Sequence, residues 1–287
     1  MAGREMKLVA LLGDPVEHSL SPIMHNAAFR HEGLDMTYMA FRVTRQDLNT
    51  ALDGLSVLGA VGTNITVPHK EGAFRWVKRL DASAAGSGAV NTILFREGDP
   101  IGFNTDIYGV KMALQDLSPS PGKAMILGAG GAARGVLKAL LEGGFKEVLI
   151  SNRTEEKTLA LVREFREVSG GAVLSVIPWD EDPSCRPDLL VNATSLGLDS
   201  NPFDPLLMKR IMKWISGGAL LDMVYDPQGE TALVSSARKR GIRSIGGERV
   251  LLYQGVSAYE IFTGREAPVE VMRKAMANPP VSGGEAQ

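Results

Sequence analysis

The residues of this chain that could do chemistry come in short groups far apart in sequence. Near the start, HSLSPIMHN places Ser19 and Ser21 on either side of a leucine, just before Pro22. Two hydroxyls beside the free N–H groups of a helix start suit a small anion, for example a carboxylate. Ser21 is expected as the N-cap and Pro22 as the first helical residue. Further on, NITVPHK sets Lys70 just past a strand end and a proline, a rigid way to aim an amine. GFNTD sets Asp106 at the end of a hairpin. A lysine and an aspartate could together exchange a proton with an alcohol. Taken singly, each group reads rather as a capped helix or a solvated surface charge. His18 and His25 lack metal-ligand spacing, so no metal is expected, and Asn26 reads as structural.

The segment MILGAGGAARGVLKALLEGG joins an apolar strand to a helix through a glycine-rich turn. Gly128, Gly130 and Ala133 match the G-x-G-x-x-G/A pattern of dinucleotide binding. The first glycine permits the tight turn, the second admits a pyrophosphate, and the small third residue lets helix and strand pack. Phosphates would lie on the backbone of Gly128, Ala129, Gly130, Gly131 and Ala132, at the helix N-terminus. At the end of the next strand, an acidic residue would bind the ribose 2′-hydroxyl of NAD. This chain has Asn152 and Arg153 there. A guanidinium binds a 2′-phosphate that a carboxylate would repel. Thr154 caps the following helix and Lys157 lies within it, so NADP is favoured over NAD. Glu155 and Glu156 suit the dipole of that helix and read as structural.

The elements that carry these groups alternate. Strands are expected at 7–13, 37–43 and 60–67, with helices after Ser21 and after an N-cap at Thr44. Residues 91–106 read as a hairpin around REGDP. A second strand–helix series begins at KAMILG, runs through EVLIS, AVLSVI, LLVNAT, ALLDMVY and SIGG, and ends in two helices. This is the pattern of an α/β protein. We expect an N-terminal α/β substrate domain with a mostly parallel sheet, residues 1–106 joined by the C-terminal helices at about 251–278. A Rossmann-type dinucleotide domain, 107–250, follows, with the active site in the cleft between them. Residues 279–287 read as a flexible tail.

The bulk composition excludes several classes. The 287 residues carry 31 basic and 33 acidic side chains, a net charge of −2 that argues against nucleic-acid and membrane-surface partners. Apolar residues make up 44%, and no stretch has the apolar length of a membrane span. The N-terminal apolar run LVALLG is short for a secretion signal. The single cysteine, Cys185, reads as a loop residue without a catalytic role. A cytoplasmic protein is expected.

Read together, GDPVEHSLSPIMHNAAF, NITVPHK, GAVNT, NTD, GAGGAAR, NRT, NATSLG and LLYQG resemble shikimate dehydrogenases, in that family's order from Gly13 to about Gly264. The resemblance implies reversible NADPH-dependent reduction of 3-dehydroshikimate to shikimate, in the shikimate pathway to chorismate and the aromatic amino acids. It implies that Ser19 and Ser21 bind the substrate carboxylate and that Lys70 and Asp106 form the catalytic pair. It implies that Thr66, Asn91 and Gln254 hold ring hydroxyls, that Tyr225 lies on the substrate side, and that Met223 and Gly247 meet the nicotinamide half. Asn64 and Ser195 are neighbours of these groups. Val250 departs from the methionine common at that place, and DASAAGSGAVNT is richer in small residues than in many relatives. A monomer or homodimer is expected. The rival readings are a quinate/shikimate dehydrogenase using NAD or NADP and, in another class, a non-catalytic ligand sensor.

Overall fold

The computed structural model describes residues 6–96, 99–198, 201–227 and 229–278. The expected tail and two residues of the REGDP turn lie outside them. The chain divides into two compact units. One comprises Met1–Arg79, Asn91–Gly102 and Gly255–Gln287, the other Leu80–Val90 and Phe103–Gln254.

The first unit is built on six strands, β1 (Lys7–Gly13), β2 (Met36–Arg42), β3 (Gly62–Ile65), β4 (Arg79–Leu80), β5 (Thr92–Leu94) and β6 (Ile101–Phe103). Their order is β2-β1-β3-β5-β6-β4. β1 runs parallel to both β2 and β3, and β5 runs antiparallel to β3. The unbroken apolar run Val9–Leu12 is buried, as a parallel strand covered on both faces requires.

Three helices follow strands here, α1 (Ser21–His31), α2 (Leu48–Val57) and α3 (Lys70–Trp76). α1 begins one residue earlier than expected. Leu20 holds the cap position and Ser21 is already helical. Ser19 lies just outside the helix, and its Oγ accepts the Ser21 N–H at 3.3 Å. Thr44 is not an N-cap either. It closes a turn in which its hydroxyl donates to the Asp47 carboxylate at 2.6 Å, and Asp47 occupies the cap position of α2. The strand expected at 60–67 stops at Ile65, because Thr66–His69 folds into a turn closed by the His69 N–H on the Thr66 carbonyl. α3 has no counterpart in the sequence reading, so Lys70 opens a helix rather than lying in a loop.

The second unit contains α4 (Thr105–Leu117), β7 (Lys123–Leu127), α5 (Gly131–Glu142), β8 (Glu147–Ser151), α6 (Glu155–Phe165) and β9 (Val173–Val176). It continues with β10 (Leu189–Asn192), α7 (Pro205–Trp214), β11 (Ala219–Asp222), α8 (Ala232–Arg238), β12 (Arg243–Ile245) and the start of α9 (Gly247–Thr263). The remainder of α9 and α10 (Val269–Ala277) belong to the first unit.

All five strand pairings of the second sheet are parallel, in the order β12-β11-β10-β7-β8-β9. Numbered within the sheet, this is the 3-2-1-4-5-6 order of doubly wound dinucleotide-binding folds. α5 buries Ala133, Val136, Leu137 and Leu140, a helical stripe that seats it on β7. Each large apolar side chain so buried contributes roughly 1.5–3 kcal/mol.

Candidate active site

In the first unit the singled-out residues gather at one edge of the sheet. Ser19 and Ser21 follow the C-terminal end of β1, and Thr66 follows that of the parallel β3. Because β5 is antiparallel to β3, Asn91, just before it, comes to the same edge. The Ile65 N–H donates to the Asn91 carbonyl at 2.7 Å, and the Thr66 N–H to the Leu12 carbonyl at 2.9 Å. Gly13 is required here, since a Cβ on it would collide with Thr66 Cγ2. Lys70, half-buried, opens α3 one turn further on.

The preceding His69 is buried, and its Nε2–H donates to the Val43 carbonyl at 2.7 Å, tying the start of α3 to the end of β2. Sequence reasoning missed this anchor, because a histidine beside a lysine gives no sign of which backbone carbonyl it will reach. His25 is wholly buried without a hydrogen-bond partner among the described residues, and burial pushes its imidazole down to about 3. It is therefore a neutral ring of the core. Asn26 is structural, as expected. Its Nδ2 donates to the Tyr38 carbonyl at 2.9 Å and its Oδ1 accepts the Tyr38 N–H at 2.8 Å.

In the second unit the glycine turn lies at the switch point of the sheet, between β7 and its neighbour β10. Gly128 has φ +114°, and a Cβ there would sit 2.8 Å from the Ala193 carbonyl oxygen. Only glycine fits both restrictions. A Cβ on Gly130 would meet nothing within 4 Å. The space over this residue is open, and the first N–H groups of α5 have no helical partner. No acidic residue lies in the first turn of α5. An anionic diphosphate fits these conditions.

The next strand ends beside this turn, with the Gly128 N–H on the Ser151 carbonyl at 2.8 Å. Asn152 Nδ2 donates to the Thr154 carbonyl, and Thr154 occupies the N-cap of α6. Arg153 and Lys157 are exposed, and neither has an ion-pair partner among the described residues. Two cations beside the turn suit a ribose carrying an extra phosphate.

Asp106 lies in the first turn of α4 and is 5% exposed. α5 packs closely against it. A Cβ on Gly135 would come within 3.2 Å of Asp106 Cβ. The neighbouring Thr105 donates to Gln254 Oε1 at 3.4 Å, so Asp106 and Gln254 are brought to one place. Met223 follows β11, and Gly247 packs on the Met223 carbonyl so tightly that no Cβ fits. Tyr225, partly exposed, comes two residues after Met223. The described contacts do not join Ser195 to these groups, because its Oγ accepts from Asn201.

One buried cluster here has no counterpart in the sequence reading. Asp222 at the end of β11 accepts from Asn192 Nδ2 at 2.8 Å, the Val224 N–H at 3.1 Å and Thr231 Oγ1 at 2.7 Å. Desolvation raises its carboxyl to about 6, against these three hydrogen bonds, which favour the charged form. The same Asn192 accepts from Thr194 Oγ1 at 2.6 Å. This network fixes the ends of β10 and β11, which carry the Ala193–Thr194 turn and Met223.

Comparison with known proteins finds family matches at three places along the chain. Residues 11–93 match the family described as shikimate dehydrogenase substrate binding domain. Residues 111–176 match shikimate / quinate 5-dehydrogenase, and 247–277 match the shikimate 5'-dehydrogenase C-terminal domain. Shikimate dehydrogenase (NADP(+)) of Methanopyrus kandleri is 43% identical over 279 residues, 95% of each chain. A crystal structure of a shikimate dehydrogenase in complex with NADP+ has a TM-score of 0.85 at 37% identity, covering 97% of both chains. The Thermus thermophilus enzyme in complex with NADP(H) and shikimate has a TM-score of 0.79 at 35% identity, covering 94% of this chain and 98% of that one. With such matches along nearly its whole length, the chain belongs to the shikimate dehydrogenase family.

Proposed function

We propose that this protein is an NADP-dependent shikimate dehydrogenase, reducing 3-dehydroshikimate reversibly to shikimate on the route to the aromatic amino acids. The observation that carries the reading is the gathering of two serines, a threonine, a lysine and an asparagine at one sheet edge, in a chain whose second sheet has the dinucleotide-binding order. NADPH, when bound, supplies the hydride.

The protein supplies place and proton. Ser19 and Ser21 hold the substrate carboxylate at the start of α1. Thr66, Asn91 and Gln254 hold the ring hydroxyls, with Tyr225 on the substrate side. Lys70 and Asp106 handle the proton of the reacting oxygen. The backbone from Gly128 to Ala132 holds the diphosphate, and Asn152, Arg153, Thr154 and Lys157 take the adenosine end with its 2′-phosphate. Met223 and Gly247 border the nicotinamide. The first unit thus supplies most of the substrate groups, and the second supplies the cofactor groups together with Asp106, Tyr225 and Gln254.

No helix among the described residues is long and apolar enough to cross a membrane, and Cys185 is a free thiol. Both fit a cytoplasmic enzyme; a monomer or homodimer is proposed.

Nicotinamide absorbance tests the proposal, with shikimate or quinate combined in turn with NADP or NAD. A fast rise with shikimate and NADP is expected. A faster rise with quinate or NAD would overturn the substrate or the cofactor assignment. Saturable shikimate binding with no rise in any mixture would make the protein a sensor.

A further inference from the structure

The opening motif contains more than its serines. His25 and Asn26, which bind nothing in the proposed site, both act on Tyr38. The His25 ring stacks on the tyrosine with centroids 4.5 Å apart and planes 1° from parallel. Asn26 clamps the tyrosine backbone from both sides. Tyr38 is 2% exposed, and its hydroxyl donates to Asn64 Oδ1 at 2.7 Å.

From there the hydrogen bonds run in one direction. Asn64 Nδ2 donates to Thr92 Oγ1 at 2.9 Å and to the Asn91 carbonyl at 3.3 Å. That carbonyl can only accept, so it fixes which end of the Asn64 amide faces it. Asn64 Oδ1 is then the end that faces Tyr38, and the tyrosine must donate. Thr92 Oγ1, which accepts from Asn64, donates to Asn91 Oδ1 at 3.0 Å. Asn64, Thr92 and Asn91 are all at most 5% exposed, so water does not compete for these bonds.

We infer that Tyr38, Asn64 and Thr92 are positioning residues that lock the Asn91 side chain in one of its two amide orientations, so that it meets a substrate ring hydroxyl as a donor through Nδ2. This rests on the reading of Asn91 as a substrate-binding residue. With Oδ1 engaged by Thr92, that orientation is set before the substrate arrives.

Two measurements test it. Steady-state kinetics compare Thr92→Val, which keeps the shape and loses the hydroxyl, with Thr92→Ser, which keeps the hydroxyl. Thr92→Val should raise KM for shikimate about tenfold and leave KM for NADP unchanged, and Thr92→Ser should stay near wild type. Tyr38→Phe should raise KM for shikimate about threefold in the wild-type background and have no effect in Asn91→Ala. Equal KM values for Thr92→Val and Thr92→Ser, or the same Tyr38→Phe factor in both backgrounds, would overturn the inference. Neutron diffraction from perdeuterated protein needs no substrate, and so separates this inference from the functional reading. A Thr92 deuteron lying toward Asn91 Oδ1 supports the relay, and one pointing elsewhere sinks it.

Discussion

In the proposed reading the two units prepare their ligand sites by different means. The second uses mainly backbone. A glycine turn of five consecutive residues, set between neighbouring strands, exposes the first amides of α5, and nearby side chains refine the choice of ligand. The first unit uses side chains from four separate places, the start of α1, the end of β3, the start of α3 and the start of β5. A backbone site survives most substitutions that spare its glycines. A side-chain site depends on each group and on the buried residues that orient it. The contrast explains why the glycine turn is recognisable as one short string, while Ser19, Thr66, Lys70 and Asn91 look ordinary until the sheet gathers them.

Substitutions can break this contrast or sharpen it. The sharpest break is at single side chains. Lys70→Ala or Asp106→Asn should lower kcat by about 10³-fold while leaving the fold intact, as a lost proton-transfer group does. Stopped-flow rates with thermal melts check this, and kcat within about threefold of wild type would remove that residue from the chemistry.

Asp222 tests whether the cofactor unit also leans on side chains. Its carboxyl is raised to about 6 in the folded protein, so the native state binds more protons than the unfolded chain between about pH 4 and 6. Stability associated with this group is present at low pH and declines as pH rises through 6. The variant Asp222→Asn should therefore gain on wild type across that window by roughly 3 kcal/mol. Denaturant melts at pH 4, 5, 6 and 7 measure the difference, and parallel curves would refute it.

The backbone site itself is probed by Gly130→Val. The open space over Gly130 should accept the side chain without harm to the fold, while the diphosphate loses its approach. KM for NADP should rise about 30-fold with an unchanged melting temperature. An unchanged KM would place the diphosphate elsewhere. The smallest effect is expected at Arg153→Ala. Losing one charged contact to the 2′-phosphate should cost about tenfold in kcat/KM with NADP and little with NAD. Equal losses with both cofactors would show that Arg153 does not read the phosphate.

Reading along the chain works where the physics is local. The strand–turn–helix at Gly128, the absence of an acid at Arg153 and the apolar periodicities are all set by neighbours a few residues apart. They carry the α/β class and the preference for NADP. The differences lie where a short-range turn shifts a helix start. Ser19 Oγ accepts the Ser21 N–H ahead of α1, and the Thr44–Asp47 turn delays α2.

What tertiary structure alone decided is the company each polar residue keeps. β5 runs antiparallel to β3, and only this pairing sets Thr92 opposite Asn64 and brings Asn91 to the sheet edge that already holds Thr66. Likewise, only the parallel register of β10 with β11 sets Asn192 beside Asp222 and buries a carboxyl that reads as an ordinary strand-end acid. The physical reason is burial. Inside the protein each polar group must find a partner or be left unsatisfied, and partners separated by dozens of residues meet only when the sheet brings them together.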